Sequence, residues 1–244
     1  MGRDLEAPAA EAEGKPNWGS LYRARGSEVS ASRPIFTGDV FEGARLSDGT
    51  ISSVIILQHP CALRTNGVDL NPKLLVATVN QAVLIPLPGW TGNYKKMPLP
   101  ELDGTTPYAA NFTEPGVAKS AELDLSHRLA TMSQFGVNLL LQRWVHHNSR
   151  AIVPSQEFQL VTSAEYEEAD LTEDWCDERL SDGFDVGTAT SEAHDWFRSK
   201  ALPEPETWQE QLEDPQKRSS VRKAMRAELK TRRANDPDAP DSPS

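Results

Sequence analysis

Apolar positions along the 244 residues gather between Pro34 and about Leu160, mostly in short β-branched runs. Residues 35–41 (Ile-Phe-Thr-Gly-Asp-Val-Phe) read as a strand interrupted by Gly-Asp. Residues 53–57 (Ser-Val-Ile-Ile-Leu) form a continuous run, short enough for a strand buried on both faces. Residues 73–79 and 82–87 supply two more strands, and residues 122–126 alternate as a strand does. Ser47-Asp48-Gly49-Thr50, Asn66-Gly67 and Asn71-Pro72 carry turn chemistry between the runs, and Pro60 stops the second of them. Strands this short and this closely spaced predict a small barrel or sandwich rather than βαβ units. Residues 88–115 hold Pro, Gly, Lys and aromatics without a period. They read as a long loop, so residues 88–120 are marked as functional or mobile.

Past the strands the period changes. Ser133 opens a helical pattern in which Phe135, Leu139, Leu140, Trp144 and His147 share one side. Residues 165–180 form a second, very acidic helix with Tyr166, Leu171 and Trp175 facing inward. Asp214-Pro215 is a good N-cap and first-position pair for a basic helix whose Val221, Met225 and Leu229 repeat every four residues. Residues 1–33 are poor in large apolar groups and read as a disordered tail, with Trp18, Leu21 and Tyr22 able to dock locally. The last residues, 234–244, carry Pro at every third position and read as a second tail. The predicted organisation is α+β: a small, mostly antiparallel β-barrel over 34–162, a charge-polarised helical extension over 163–233, and disordered termini.

Composition sharpens this in one respect. The formal charge is −11, but residues 163–214 hold seventeen acids against three bases, and residues 215–233 hold eight bases against one acid. The basic helix (Lys217, Arg218, Arg222, Lys223, Arg226, Lys230, Arg232, Arg233) has enough charge to neutralise several phosphates of RNA or DNA. It is equally suited to meet the acids upstream, in its own chain or in a second copy. Whole-chain acidity repels a polyanion and favours the protein–protein reading. No run approaches the ~20 apolar residues of a membrane helix, so no membrane partner is expected. The N-terminus lacks an apolar signal region, and two cysteines exclude a disulfide framework, which predicts a cytoplasmic location. Usage heavy in Ala, Arg, Asp and Pro suits a high-GC bacterium or its phage.

Gly38-Asp39-Val40-Phe41, the apolar strand 53–58, the Leu-Leu-Val-Ala-Thr-Val strand 74–79 and the Arg128-Leu129 segment leading into Gly136 occur in an order that resembles the PemK/MazF toxin family over residues 36–145. The resemblance implies a small Src-homology-three-like barrel, a toxin–antitoxin or phage-defence setting, and endoribonuclease chemistry. Members place an Arg before the second strand. Here Gly49-Thr50-Ile51-Ser52-Ser53 has none, and Thr78 stands one position earlier than the family's Ser or Thr, which swaps its face. A ribonuclease of this kind needs relocated groups, with Arg45, Arg64 or Arg128 beside Thr78 or Ser133, and its expression would arrest growth.

His59-Pro60-Cys61 follows the best strand. A thiol beside an imidazole is an activated nucleophile or half of a metal site. The pair shares a face only if Pro60 leaves the chain extended; otherwise Cys61 is a small buried apolar group and His59 a loop residue. Zinc through His59, Cys61, one of His146-His147 and Cys176 lacks any paired spacing. The acids of 165–178 spread around the helix as a solvated face rather than a metal site. Walker A, G-x-G-x-x-G, H-E-x-x-H and G-x-S-x-G motifs are absent, and no cofactor is implied. The leading expectation is a non-catalytic, cytosolic binding module that docks a partner. The ribonuclease and the thiol or zinc site are the alternatives.

Overall fold

Val54, Ile55 and Ile56 are all buried, whichever face of their strand they occupy, because the strand lies at the centre of a sheet. The structure is a computed structural model and describes residues 4–11 and 14–235, so the tail expected beyond 235 lies outside the described residues. The chain divides into two units. One takes in residues up to 31 together with 35–162, and the other 32–34 together with the residues from 163 onward.

In the first unit seven strands form one antiparallel sheet: β1 (Tyr22–Arg25), β2 (Val40–Arg45), β3 (Ile51–Ile56), β4 (Lys73–Gln81), β5 (Lys96–Leu99), β6 (Tyr108–Lys119) and β7 (Arg128–Met132). Their order is β1-β7-β2-β3-β4-β6-β5. The sheet is open rather than closed into the expected barrel, with β1 and β5 at its ends. An isolated bridge between Leu46 and Ala118 brings the chain after β2 back against β6, and Ser47 N donates to Val117 O at 2.8 Å. Gly116 permits this approach, since a Cβ there would lie 3.1 Å from Leu46 Cδ1. A single turn, α1 (Leu87–Trp90), and the long helix α2 (Gln134–Ser149) complete the unit together with the first part of α3 (Ser155–Ser181). Ser133 caps α2 as its sequence predicts, accepting from Gly136 N at 3.0 Å.

Several expectations are corrected. The predicted N-terminal tail contributes β1, and Trp18 stacks on Trp90 at 5.5 Å while Tyr22 Oη donates to Pro100 O at 2.9 Å. A few large side chains suffice because each enters an existing core. The predicted loop 88–120 contains β5 and β6. Its alternation is hidden because Ala77 pairs with Pro115 and Thr78 with Asn111, so residues 112–114 bulge out of register. Residues 82–87 are not a strand: Pro107, before β6, has no N–H to continue the ladder, and Val83 is 89% exposed. Residues 122–126 form 3₁₀ turns, because Asp124 Oδ1 accepts from Ser126 N and Oγ at 2.8 and 2.7 Å. Residues 35–39 form a turn with Gly38 at φ +87°, and pairing of that segment starts at Val40.

The second unit is helical: the rest of α3, then α4 (Val186–Arg198), α5 (Trp208–Gln211) and α6 (Arg218–Asn235). Leu171 and Trp175 of α3, Ala193, Trp196 and Phe197 of α4, Leu212, and Val221, Met225 and Leu229 of α6 form its core. Trp196 and Trp208 stack at 5.0 Å. The acidic helix is longer than its charged segment suggests. The basic helix starts at Arg218 rather than at Pro215, because Asp214 closes a turn first, accepting from Gln216 N and, through its carbonyl, from Lys217 N, both at 2.9 Å.

Candidate functional sites

The chain leaves β3 through Gln58 and His59, and Pro60 opens a 3₁₀ turn over Pro60–Ala62. His59 itself is extended (φ −61°, ψ 141°), and its ring caps the turn, Nδ1 accepting the Cys61 N–H at 3.4 Å. The same nitrogen lies 2.9 Å from Cys61 Sγ. A backbone N–H only donates, so Nδ1 is the unprotonated nitrogen and the thiol proton points to it. Burial lowers the pKa of His59 from its ordinary 6.5, which keeps the ring neutral near pH 7. Gln58 Nε2 and Asn71 Nδ2 both brace the turn by donating to Ala62 O, at 3.0 and 2.6 Å. The alternative of Cys61 as a buried apolar group fails, since the thiol is exposed. The pair meets through a turn rather than through the extended chain that the sequence requires of it.

Neither half of the four-ligand zinc reading is assembled around this pair. Among the described residues no group of three or more His, Cys, Asp or Glu is placed to hold a metal ion. His147 lies against Trp144 and Phe112, and His146 edge-on to Tyr94, in an aromatic cluster at the end of α2. Cys176 is buried beside Thr190, and burial pushes its thiol pKa up.

Arg128, Arg64 and Thr78, named for the ribonuclease alternative, each have a hydrogen-bond partner within the first unit. Arg128 is buried, its Nη1 2.9 Å from Asp39 Oδ2 and its Nη2 2.6 Å from Ser30 O, so it is not presented to a phosphate. Arg64 Nη2 reaches back to Ile35 O at 3.3 Å. Thr78 lines a shallow cavity of about 330 Å³ and donates to Glu114 Oε2 at 3.4 Å. Asp48 also lines that cavity, and none of its described lining residues is a Lys, Arg or His. The hydrogen bond from Thr50 N holds the Asp48 carboxyl below its ordinary pKa, so Asp48 faces any incoming phosphate as a carboxylate.

In the second unit four of the eight basic side chains of residues 215–233 are paired with acids of that unit. Arg222 binds both oxygens of Glu167, at 2.5 and 2.7 Å. Arg233 binds Asp182 and Glu178 at 2.7 and 2.9 Å, Arg232 lies 2.8 Å from Glu228, and Lys217 lies 2.6 Å from Glu206. Arg218 donates to Leu212 O and Ser163 Oγ, both at 2.8 Å. Lys223, Arg226 and Lys230 are exposed and have no ion pair among the described residues. Arg226, Lys230 and Arg233 edge a groove of about 780 Å³ that is also lined by Asp174, Asp177 and Glu178 of α3, with Met225 and Leu229 between them, and Arg233 spans it to Glu178. No family model and no curated protein matches the chain. No described helix is long and apolar enough to cross a membrane.

Two features escape the sequence reading. Arg33, from the predicted tail, is buried against Asp170 and Glu173 at 2.5 and 2.9 Å, while its neighbour Ser32 donates to Asp177. Nothing local in Ser32-Arg33-Pro34 announces that partner. By contrast α4 was open to discovery: Ala189, Ala193, Trp196 and Phe197 recur at helical spacing behind the Asp185 cap.

Proposed function

We propose that the chain is a non-catalytic, cytosolic binding module, of prokaryotic or phage origin, that docks a protein partner in the groove between α3 and α6. The observation that carries this reading is the placement of opposite charge on the two walls of one groove, over an apolar floor. Polyanions such as RNA or DNA are attracted by Arg226 and Lys230 but repelled by Asp174 and Asp177 across from them, while Glu178 is paired with Arg233. A protein segment with both signs of charge around an apolar stripe satisfies both walls, and a second copy of the chain is one such partner. The residues quoted for the PemK/MazF resemblance lie on or beside β2, β3, β4 and β7 and support a relationship to that family, and the Leu46–Ala118 bridge curls the open sheet in the direction of its barrel. A toxin–antitoxin or phage-defence setting comes with that resemblance alone.

The test is a pull-down with the full chain from a bacterial host at low and high salt, alongside sedimentation of the purified chain. Two variants accompany it: Asp174→Lys with Glu178→Lys, and Arg226→Glu with Lys230→Glu. A protein partner, or a dimer, that is lost from both variants supports the reading. Salt-sensitive recovery of RNA or DNA, lost only from the second variant, contradicts it.

A further inference from the structure

The thiol of Cys61 is exposed, held 2.9 Å from an unprotonated imidazole nitrogen, and fixed there by a turn braced from Gln58 and Asn71. We propose that Cys61 is a modification site: a thiol that, with His59 as its base, exchanges with low-molecular-weight disulfides to form a mixed disulfide at the exit of β3. The Sγ proton passes to His59 Nδ1, and the sulfur attacks one sulfur of the disulfide RSSR. The Sγ–S bond forms as the S–S bond breaks, and the departing thiolate takes the proton from His59 to leave as RSH. The small disulfide is the oxidant, and one thiol is released for each thiol consumed.

Geometry supplies what the step needs. The base is in contact with its proton before reaction, and the Cys61 N–H holds the ring in the accepting tautomer. Gln58 also accepts from Leu75 N of β4 at 3.3 Å, tying the turn to the sheet. The chain's other thiol, Cys176, is buried with its pKa raised by that burial, so selectivity between the two cysteines is built in.

The test uses the folded full chain with 5,5′-dithiobis(2-nitrobenzoate) at pH 7, followed by glutathione disulfide with intact mass and peptide mapping. One fast equivalent of released thiol per chain is expected, with one adduct mapped to Cys61. The wild-type rate should exceed that of a small free thiol under the same conditions. His59→Asn retains a side-chain acceptor for the Cys61 N–H and removes the base, and it should slow the reaction by at least about 10-fold. Its thermal transition should stay in place. A variant reacting at the wild-type rate, a wild-type rate no faster than the free thiol, or an adduct that maps to Cys176 overturns the proposal.

Discussion

Arg128 Nη1 lies 2.9 Å from Asp39 Oδ2, with the two side chains 0% and 1% exposed, so the start of β7 is bound to the residue that precedes β2. Asp39 Oδ2 also accepts the Phe36 N–H at 3.0 Å, and Arg128 Nη2 reaches Ser30 O. Both residues belong to the segments that carry the PemK/MazF resemblance, yet they meet as a buried pair rather than around a substrate. Breaking such a pair leaves one uncompensated buried charge, at about 3–5 kcal/mol, whereas replacing both partners by apolar groups costs far less. Urea denaturation should show Arg128→Met and Asp39→Ala each destabilised by that amount, and the double variant recovering much of it. Equal, additive losses would contradict this account.

Gly136 lets α2 approach the backbone at Leu21. A Cβ at this position would stand 2.1 Å from Leu21 O, the same carbonyl that accepts the Ser133 N–H at 3.0 Å. Ala in place of Gly normally favours a helix interior by up to ~1 kcal/mol. Here overpacking should outweigh that, with a net loss of about 1–3 kcal/mol. A thermal midpoint that is unchanged or raised in Gly136→Ala would show that the N-terminal segment is not seated on α2.

Glu6 caps the start of α3, accepting from Ser155 N at 2.8 Å, and it also takes a hydrogen bond from Gln142 at 3.0 Å. Burial works to raise its pKa, but the bonds from Ser155 and Gln142 outweigh it and hold the carboxyl below its ordinary 4.5. A depressed acid pKa contributes stability that is present above 4.5 and is lost as pH falls through the lower folded-state value. Denaturation curves between pH 6 and 3 should therefore converge for wild type and Glu6→Gln at the acid end and separate above pH 4.5, with wild type the more stable.

Legibility followed the physics of each element. β3 and β4 were readable because unbroken apolar runs mark buried strands, and α6 because its apolar residues fall every fourth position. β1 was not, since only Tyr22 of its four residues is buried, and β6 was hidden by the bulge that breaks its alternation. His59 and Cys61 could be singled out as a pair, but whether they touch depends on a 3₁₀ turn that their spacing does not specify. Arg128 is legible as a charge and not as a buried one, because Asp39 lies 89 residues away in the chain.

Charge dominates the sequence of α6, but packing should dominate its attachment. Val221, Met225 and Leu229 are buried, while the Arg222–Glu167 pair is exposed on its arginine side. Exposed ion pairs contribute about 0–1 kcal/mol, and truncating a buried Met about 2–5 kcal/mol. Met225→Ala should destabilise the helical unit several times more than Arg222→Ala, and 1 M salt should change its unfolding midpoint little. The opposite ranking in denaturant titrations would mean that electrostatics hold the helix.

Carboxyl and lysine footprinting of the full chain, with and without the protein partner recovered by pull-down, addresses the groove most directly. Carbodiimide coupling reads Asp174, Asp177 and Glu178, and acetylation reads Lys230 on the facing wall. Simultaneous protection of both walls on adding the partner is the predicted result. Protection of Lys230 alone, or full reactivity of both walls in the bound complex, would contradict docking in this groove.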